Sequence, residues 1–369
     1  MNSRARKARW ATALATTVAL LAGGAGTALA DGTATTPVTT VPVGTVVTGV
    51  VVSPDGSRAY VTADGKLKVV DTAAGAVTAE IPLGGLDYTS DKSAISPDGT
   101  RVYAVSGLVL YVVDTTTNTV VTTVPLPPEI RPDTWKDGGA YQVAIGTDGG
   151  TVLVAQDGPS GYLRPGQPPT RTPGRVLTFA TAQGAFTGEV PMPDGYVRRI
   201  AVRPGGTDAY VSSGTGLVHL DLSTGTPTAV GTVANLPAQV IYATYTKDGT
   251  HLIVTDSDPG DPRLAHPVDT DSDTATAPVT LTPDFSTGGA PSTAPAGGLL
   301  RRAAYDQTTK RLSLVAFDST ADYAAVPGET VPTDADFSYG MTVSSDNHTV
   351  YLLAHRPGVQ GVFLEVLPR

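Results

Sequence analysis

Ser53-Pro54-Asp55-Gly56-Ser57-Arg58-Ala59-Tyr60-Val61 returns, with small changes, as Ser96-Pro97-Asp98-Gly99-Thr100-Arg101-Val102-Tyr103-Ala104. In both copies a short apolar strand precedes the Asp-Gly turn and a second strand follows it. The glycine supplies the positive backbone angle that a tight hairpin turn needs. A unit of this length does not bury its apolar face alone, so neighbouring copies must stack on one another. The repeat therefore predicts a fold built from stacked β-sheet units.

The position of Ser53 recurs along the whole chain. Its equivalents are Ser96, Gly146, Arg203, Thr246, Asp306 and Ser344. This spacing suits four short strands per unit, as in a propeller blade. In the first unit we predict strands at 47–53, 58–62, 66–71 and 76–81.

The two ends of the chain complement each other. Residues 36–43 have the pattern of an outermost strand without three strands before them. The last unit has predicted strands at 339–344, 349–354 and 361–367 and no outermost strand. We therefore expect the N-terminal strand to complete the last blade, which leaves no long unpaired sheet edge. The predicted fold is an all-β, seven-bladed β-propeller whose ring is closed by residues 36–43.

These phrases resemble the repeats of the secreted seven-bladed propellers known as YVTN-repeat or YncE-like proteins. Those repeats carry Ser-Pro-Asp-Gly followed by Tyr-Val, and Asp-Thr followed by Val-Pro-Leu, as at 53–61 and 114–126 here. The resemblance covers nearly all of the chain after its first 30 residues, and it is weakest in the sixth unit. Proteins of this appearance include surface-associated binders and propellers similar to lactone-cleaving enzymes and antibiotic-inactivating lyases. A shared fold does not transfer activity among them.

Residues 1–30 have the pattern of a Sec-type signal peptide. A positive segment ends at Arg9, residues 11–21 are apolar, and Ala28-Leu29-Ala30 is a small-residue cleavage motif. We expect a secreted protein whose single propeller domain spans residues 31–369. The chain has no cysteine, which excludes a lipid-modified cysteine and a disulfide framework. No later stretch resembles a membrane span.

The net charge of −9 argues against a nucleic-acid partner, because sequence-independent affinity for nucleic acids needs clustered cations. We expect a monomer with a small molecule or a peptide as its partner, and we predict no cofactor.

Long loops indicate the face of the ring that carries the ligand. The loop before the innermost strand and the loop between the second and third strands share one face, and the insertions at 127–140, 157–174 and 256–277 are all predicted there. Long loops in compact folds are usually functional or disordered. When the starts of the seven predicted innermost strands are aligned, large polar residues fall at the same positions and small or aliphatic residues follow them. We therefore predict a ring of large polar groups above an apolar channel. Our candidate ligand-binding residues on this rim are Lys92, Trp135, Tyr141, Arg198, Arg199, Tyr242, Arg301, Arg302 and Tyr339.

Arginines on the rim of an acidic protein favour an anionic ligand, since a guanidinium contacts a carboxylate in a bidentate manner. Because alternate residues of a strand face opposite sides, we expect one residue of each neighbouring pair to point inward. The alternative is that these arginines pair with Asp87, Asp91, Asp194 and Asp336 and only join blades. The protein would then be a structural cell-surface interaction protein.

A lactonase-like or lyase-like enzyme is the other alternative. It would use His355 as its base, with arginines stabilising an enolate or carboxylate. No Gly-x-Ser-x-Gly motif and no thiol supports covalent catalysis. For a metal, the candidates are Asp269, Asp271 and Asp273, whose spacing suits calcium. They lack the glycine and glutamate of an EF-hand loop, so a solvated loop is the alternative interpretation.

Overall fold

Antiparallel strands make up the secondary structure of this chain. The computed structural model describes residues 38–84, 93–161, 170–236, 240–246, 249–256, 264–281, 286–287, 292–293, 299–306, 308–346 and 348–368, and no helix occurs in these ranges. The described segments accordingly contain no helix long and apolar enough to cross a membrane. Abundant valine and threonine favour strands over helices.

The first three blades follow the repeat closely. Strand β1 (Thr39–Gly44) precedes them. Blade 1 contains β2 (Val47–Val52), β3 (Arg58–Ala63), β4 (Lys66–Asp71) and β5 (Ala76–Pro82). Blade 2 contains β6 (Ser93–Ile95), β7 (Arg101–Ser106), β8 (Val109–Asp114) and β9 (Thr119–Pro125). Blade 3 contains β10 (Ala140–Ile145), β11 (Thr151–Gln156), a separate two-stranded ribbon of β12 (Ser160–Gly161) and β13 (Thr170–Arg171), then β14 (Arg175–Ala180) and β15 (Ala185–Pro191).

The last four blades include two with interrupted strands. Blade 4 contains β16 (Val197–Val202), β17 (Asp208–Ser213), β18 (Gly216–Asp221) and β19 (Thr228–Thr232). Blade 5 contains β20 (Val240–Tyr245), β21 (Leu252–Asp256), β22 (Leu264–Asp269) and a divided outer strand of β23 (Thr274–Ala275) and β24 (Val279–Thr280). Blade 6 contains β25 (Ser286–Thr287), β26 (Ser292–Thr293), β27 (Leu299–Asp306), β28 (Arg311–Asp318), β29 (Ala324–Ala325) and β30 (Val331–Pro332). Blade 7 contains β31 (Phe337–Val343), β32 (Thr349–His355) and β33 (Val362–Pro368).

The chain is a seven-bladed propeller. Its innermost strands contact one another in the order β2, β6, β10, β16, β20, β26 and β31, and β31 returns to β2. We call the face with the loop before each innermost strand, and the turn between the second and third strands, the upper face. The opposite face, with the Asp-Gly turns, is the lower face. A cavity of about 250 Å³ near the lower end of the channel is lined mainly by apolar side chains such as Val51, Ile95 and Val343.

The predicted ring closure is confirmed. Strand β1 pairs antiparallel with β33, so blade 7 contains both ends of the propeller. Val41 and Val43 of β1 are 1% and 0% exposed and pack with Val61 of blade 1 and Leu364 of β33. The strand begins at Thr39, whereas the prediction began at residue 36, which lies outside the described residues.

The Asp-Gly turn is stabilised by hydrogen bonds from its own side chains. The Asp55 carboxylate accepts hydrogen bonds from Ser53 Oγ at 2.5 Å and from the Ser57 amide at 3.0 Å, and Gly56 has a φ of 72°. The hydrogen bonds from the Ser53 hydroxyl, the Ser57 amide and the Ser57 hydroxyl lower the pKa of Asp55. The same bonds recur in blade 2 at Asp98. The Asp71-Thr72 motif contacts this turn, because the Thr72 hydroxyl donates a hydrogen bond to the Gly56 carbonyl at 2.7 Å.

The prediction for blade 6 is wrong by one strand. Asp306 ends β27, which is the second strand of its blade, because β25 and β26 occupy the innermost place. The burial pattern of β27 matches that of the second strands β3 and β7. Residues 286–298 are rich in Pro, Ala, Gly and Thr, so their strand pattern is not visible in the sequence.

The predicted loop at 256–277 is also wrong in part. Strand β22 lies inside it, and the turn after β22 belongs to the lower face. Pro267 interrupts the apolar pattern of β22, and proline argues against a strand when the sequence is considered alone.

Candidate functional site

Five innermost strands begin with a β-bulge at the upper rim of the channel. In blade 3, Ala140 pairs with Gln156 and Gln142 pairs with Ala155, so Tyr141 has no partner in the ladder. The same shift occurs in four other blades, and the five bulged residues are Thr48, Tyr141, Arg198, Ile241 and Tyr339. A bulge re-aims its side chain and is common next to binding sites. The simple alternation of inward and outward residues therefore does not hold at this rim.

Two bulged residues meet between blades 3 and 4. The Arg198 guanidinium lies over the Tyr141 ring, with its Cζ atom 3.8 Å from the ring centroid. Tyr196, which is 46% exposed, lies under both Arg198 and Arg171, with distances of 4.9 and 4.8 Å to its centroid. Such cation–π contacts fix the plane of a guanidinium while its edge remains accessible.

The carboxylate beneath these arginines is Asp157, which follows β11 and is 0% exposed. Its Oδ2 atom is 3.2 Å from Arg171 Nη1 and 3.4 Å from Arg198 Nη1, and its Oδ1 atom accepts the Val197 amide at 2.8 Å. Burial raises the pKa of Asp157 against the opposing effects of that amide and the two arginines. We call Tyr141, Asp157, Arg171, Tyr196 and Arg198 the Asp157 cluster.

Arg198 donates no hydrogen bond to any described residue. Its contacts are the two tyrosine rings and the 3.4 Å approach to Asp157, at which no hydrogen bond forms. The side chain is 27% exposed. A guanidinium has five N–H donors, and a partly buried one that lacks acceptors is unfavourable unless water or a ligand supplies them.

Tight packing positions Arg171. Its ribbon, β12–β13, is joined to the preceding loop by a bridge between Lys136 and Ser160. Gly161 of the ribbon lies against the Trp135 ring, where an added Cβ atom would be 2.3 Å from Cδ1. Gly195 leaves room for Arg171, since a Cβ atom there would be 2.5 Å from Arg171 Cγ.

Trp135 is therefore a positioning residue in this arrangement. It is 9% exposed, and it packs under the ribbon rather than facing solvent. Direct contact of Trp135 with a ligand stays a prediction, and the packing of its ring against Gly161 of β12 had no signal in the sequence.

Asp194 organises the adjacent loop. It accepts hydrogen bonds from the amides of Tyr196 at 2.8 Å, Gly214 at 3.0 Å and Thr215 at 2.8 Å. Burial alone would raise the pKa of Asp194, but these amides and the Thr215 hydroxyl lower it overall. Asp194 therefore remains ionised, and its carboxylate is engaged by these amides. The aspartate that pairs with Arg198 is Asp157.

The other predicted arginines lie elsewhere. Arg199 is 8% exposed, and its amide donates to Ser212 Oγ at 3.0 Å. Arg301 and Arg302 are on β27, not on an innermost strand, and are 2% and 4% exposed. Arg301 Nη1 is 2.8 Å from Glu329 Oε2. Their placement at the channel rim was wrong because the strand order of blade 6 was wrong.

The remaining rim candidates are only partly described. Lys92, Asp87 and Asp91 lie outside the described residues. Tyr242 is on β20, at the position after the bulged Ile241. Tyr339 is the bulged residue of blade 7 and is 39% exposed.

His355 ends β32 on the upper face. Its Nδ1 atom is 2.7 Å from Asp336 Oδ1, so a carboxylate is present beside it. The neighbouring Arg356 instead donates through Nε to Glu365 at 2.8 Å.

The aspartates considered for calcium separate in the structure. Asp269 Oδ1 accepts the Asp271 amide at 2.9 Å within a turn, whereas Asp273 bonds to the Tyr210 hydroxyl at 2.6 Å and His219 Nδ1 at 2.8 Å in blade 4. Within the described ranges, no group of three or more His, Cys, Asp or Glu residues is arranged to hold a metal ion.

Sequence reasoning missed Asp157 and Tyr196 and did not include Arg171 in the site. Asp157 follows its strand just as Asp64 does in blade 1, where the carboxylate accepts the Thr45 and Val46 amides and pairs with Lys68 at 3.5 Å. A functional interpretation needed the long insertion that follows Asp157, together with the Tyr-Val-Arg-Arg segment of the next blade.

Comparison with known proteins supports the fold alone. Hydrazine synthase from Kuenenia stuttgartiensis is similar, with a TM-score of 0.61 and 16% identity over 93% of this chain and 99% of that chain. The fold is widespread, since 1479 solved chains match, and this likeness does not assign an activity. No family model and no curated protein matches the chain, so the resemblance to YVTN-repeat proteins stays a prediction.

Proposed function

We propose that this protein binds an anionic small molecule, or the carboxylate end of a peptide, at the Asp157 cluster. The observation that carries the proposal is the Arg198 guanidinium, which is stacked on Tyr141 and donates no hydrogen bond to any described residue. A planar carboxylate matches the unused donor edge of such a guanidinium. The buried Asp157 carboxylate lies between Arg171 and Arg198 without a hydrogen bond from either to its Oδ2 atom, and Arg171 donates instead to the Gly158 carbonyl at 3.1 Å.

Arg198→Ala is expected to weaken carboxylate binding by about 10- to 100-fold, since hydrogen bonds to charged groups contribute about 1.5–3 kcal/mol. The measurement is calorimetric titration of small carboxylates and free-acid peptides found by a thermal-shift screen. Each ligand is compared with its amide, which has the same shape and no charge. Arg101→Ala is the matched control, because Arg101 is also paired with an aspartate, at 2.7 Å, but lies on the lower face. Equal affinity for acid and amide, or unchanged binding by Arg198→Ala, would contradict the proposal.

An enzymatic function is supported by one contact, the 2.7 Å approach of Asp336 to His355. This geometry suits a proton acceptor, but no arginine contacts His355 among the described residues. We therefore rank binding above a lactonase or lyase activity. Following the same ligands and simple lactones by NMR for chemical turnover distinguishes the two functions. A structural cell-surface role has support in the contacts of Asp157 with Arg198 and with the Val197 amide, which join blades 3 and 4.

Export is part of the proposed function and rests on the sequence of residues 1–30. Expressed with its native N-terminus in a secreting host, the protein is expected outside the cytoplasm, beginning at Asp31. N-terminal sequencing and intact mass measure this start. Ala30→Arg, which places a large charged residue in the cleavage motif, is expected to leave the precursor uncleaved. A cytoplasmic product that retains residues 1–30 would exclude export.

A further inference from the structure

Blade 7 presents an aromatic pair on the upper face, away from the Asp157 cluster in chain and blade order. Phe337 and Tyr339 are 50% and 39% exposed, and their ring centroids are 5.0 Å apart at an interplanar angle of 72°. Both residues belong to β31, and the bulge at Tyr339 leaves that residue outside the ladder. Exposed apolar groups gathered at one place commonly mark a binding site.

A hydrogen-bond acceptor lies beside this pair. Phe337 is the register partner of His355, so the imidazole and the aromatic pair share one end of the blade. Asp336 Oδ1 is 2.7 Å from His355 Nδ1, which favours the tautomer that carries its proton on Nδ1. The other nitrogen, Nε2, then accepts a hydrogen bond, and no described residue donates one to it.

The charged groups at this place differ from those of the Asp157 cluster. No lysine or arginine among the described residues forms an ion pair with Asp336 or contacts the His355 ring, and both side chains are partly exposed, at 29% and 37%. The place therefore offers no cation to an anionic ligand, whereas an uncharged hydroxyl group is a suitable donor to Nε2.

We propose that Phe337, Tyr339 and the Asp336–His355 pair form a second binding site, which takes a neutral sugar ring. The apolar C–H face of a pyranose stacks on one of the two aromatic rings, the other ring, inclined at 72°, borders the edge of the sugar, and one sugar hydroxyl donates to His355 Nε2. An aromatic ligand without hydroxyl groups would contact the two rings but would donate no hydrogen bond to His355 Nε2. This site stands on its own observations and does not depend on the proposed carboxylate site.

The test uses three neutral oligosaccharides, cellotetraose, chitotetraose and maltotetraose, titrated into the full mature protein and followed by saturation-transfer NMR and calorimetry. At least one is expected to bind with a millimolar or lower dissociation constant. The double variant Phe337→Ala and Tyr339→Ala is expected to weaken that binding by about tenfold or more, and His355→Ala by about threefold or more. Tyr339→Phe, which keeps the ring, is expected to bind like the unchanged protein.

Two controls separate this site from folding defects and from the Asp157 cluster. Leu108→Ala removes another exposed apolar side chain of the upper face and is expected to have no effect on sugar binding. Arg198→Ala is also expected to have none. Thermal unfolding of each variant checks that the propeller is intact. The proposal is overturned if none of the three saccharides binds at millimolar concentration, if the double variant binds them unchanged, or if phenylethane binds there and the saccharides do not.

Discussion

Val43→Asp in the closing strand is expected to destabilise the propeller by about 4 kcal/mol or more, because it places a charge without a partner in an apolar core. Val43 is 0% exposed and packs where blade 7 meets blade 1. Native proteins have only about 5–15 kcal/mol of stability in total, so this loss is large. Urea unfolding followed by circular dichroism measures it.

Pro42→Asp is the matched control, because Pro42 is the exposed neighbour of Val43 on the same strand. It introduces the same charge at the solvent-facing position, and its expected effect is within about 1 kcal/mol. Removal of residues 31–44 extends the test, since it leaves β33 as an unpaired edge, and such edges pair with other chains. We expect the shortened protein to form dimers or larger species in size-exclusion chromatography. A stable monomer after this deletion would show that the closing strand is dispensable. Equal effects of the two aspartates on the free energy of unfolding would contradict the burial of Val43.

Arg301→Ala is expected to destabilise the protein by about 3–5 kcal/mol, through the loss of a buried ion pair and the cavity that remains. Arg301 is 2% exposed in the second strand of blade 6, and Glu329, its ion-pair partner, is 34% exposed. Thermal and urea unfolding provide the measurement.

Arg301→Met separates the effect of the lost charge from the effect of the lost side-chain volume. Methionine refills most of the cavity without a charge, and replacement of buried ion pairs by apolar residues is often neutral, so its cost is expected to be smaller by about 2 kcal/mol. Arg311→Ala, in the next strand and partly exposed, is expected to change stability by no more than about 0.5 kcal/mol. Were Arg301→Ala as mild as Arg311→Ala, Arg301 would not be a core residue. Arg302, 4% exposed, is likewise expected to affect stability, contrary to its sequence-based assignment to the rim.

The repeat predicts the fold wherever a copy keeps both the Asp-Gly turn and its two flanking strands. In blade 1 the predicted and observed strands differ by one residue at most at each end. In blade 6 the innermost strand is reduced to β25 and β26 within a Pro- and Gly-rich segment, so the next strand was taken in its place. Local pattern alone does not identify a strand that is stabilised mainly by its neighbours in the ring.

The candidate site was predictable only in part, for a related reason. Aligned strand starts selected Tyr141 and Arg198, which do meet between adjacent blades. The bulges that orient them depend on register, which a one-dimensional pattern does not contain. Asp157 was missed because its contact with Arg198 joins residues far apart in sequence, and a buried aspartate after a strand looks like any turn residue.

The bulges at the channel rim also bear on how such a protein changes its specificity. A residue with no partner in the ladder can be replaced without altering the backbone hydrogen bonds of that ladder, as Thr48, Tyr141, Arg198 and Tyr339 illustrate with three different side chains at one structural position. Mutations at these positions are therefore largely independent of the folding of the propeller. Randomising the bulged residues together gives a combinatorial library on a fixed scaffold, in which selection for new ligands acts on recognition with little penalty in stability.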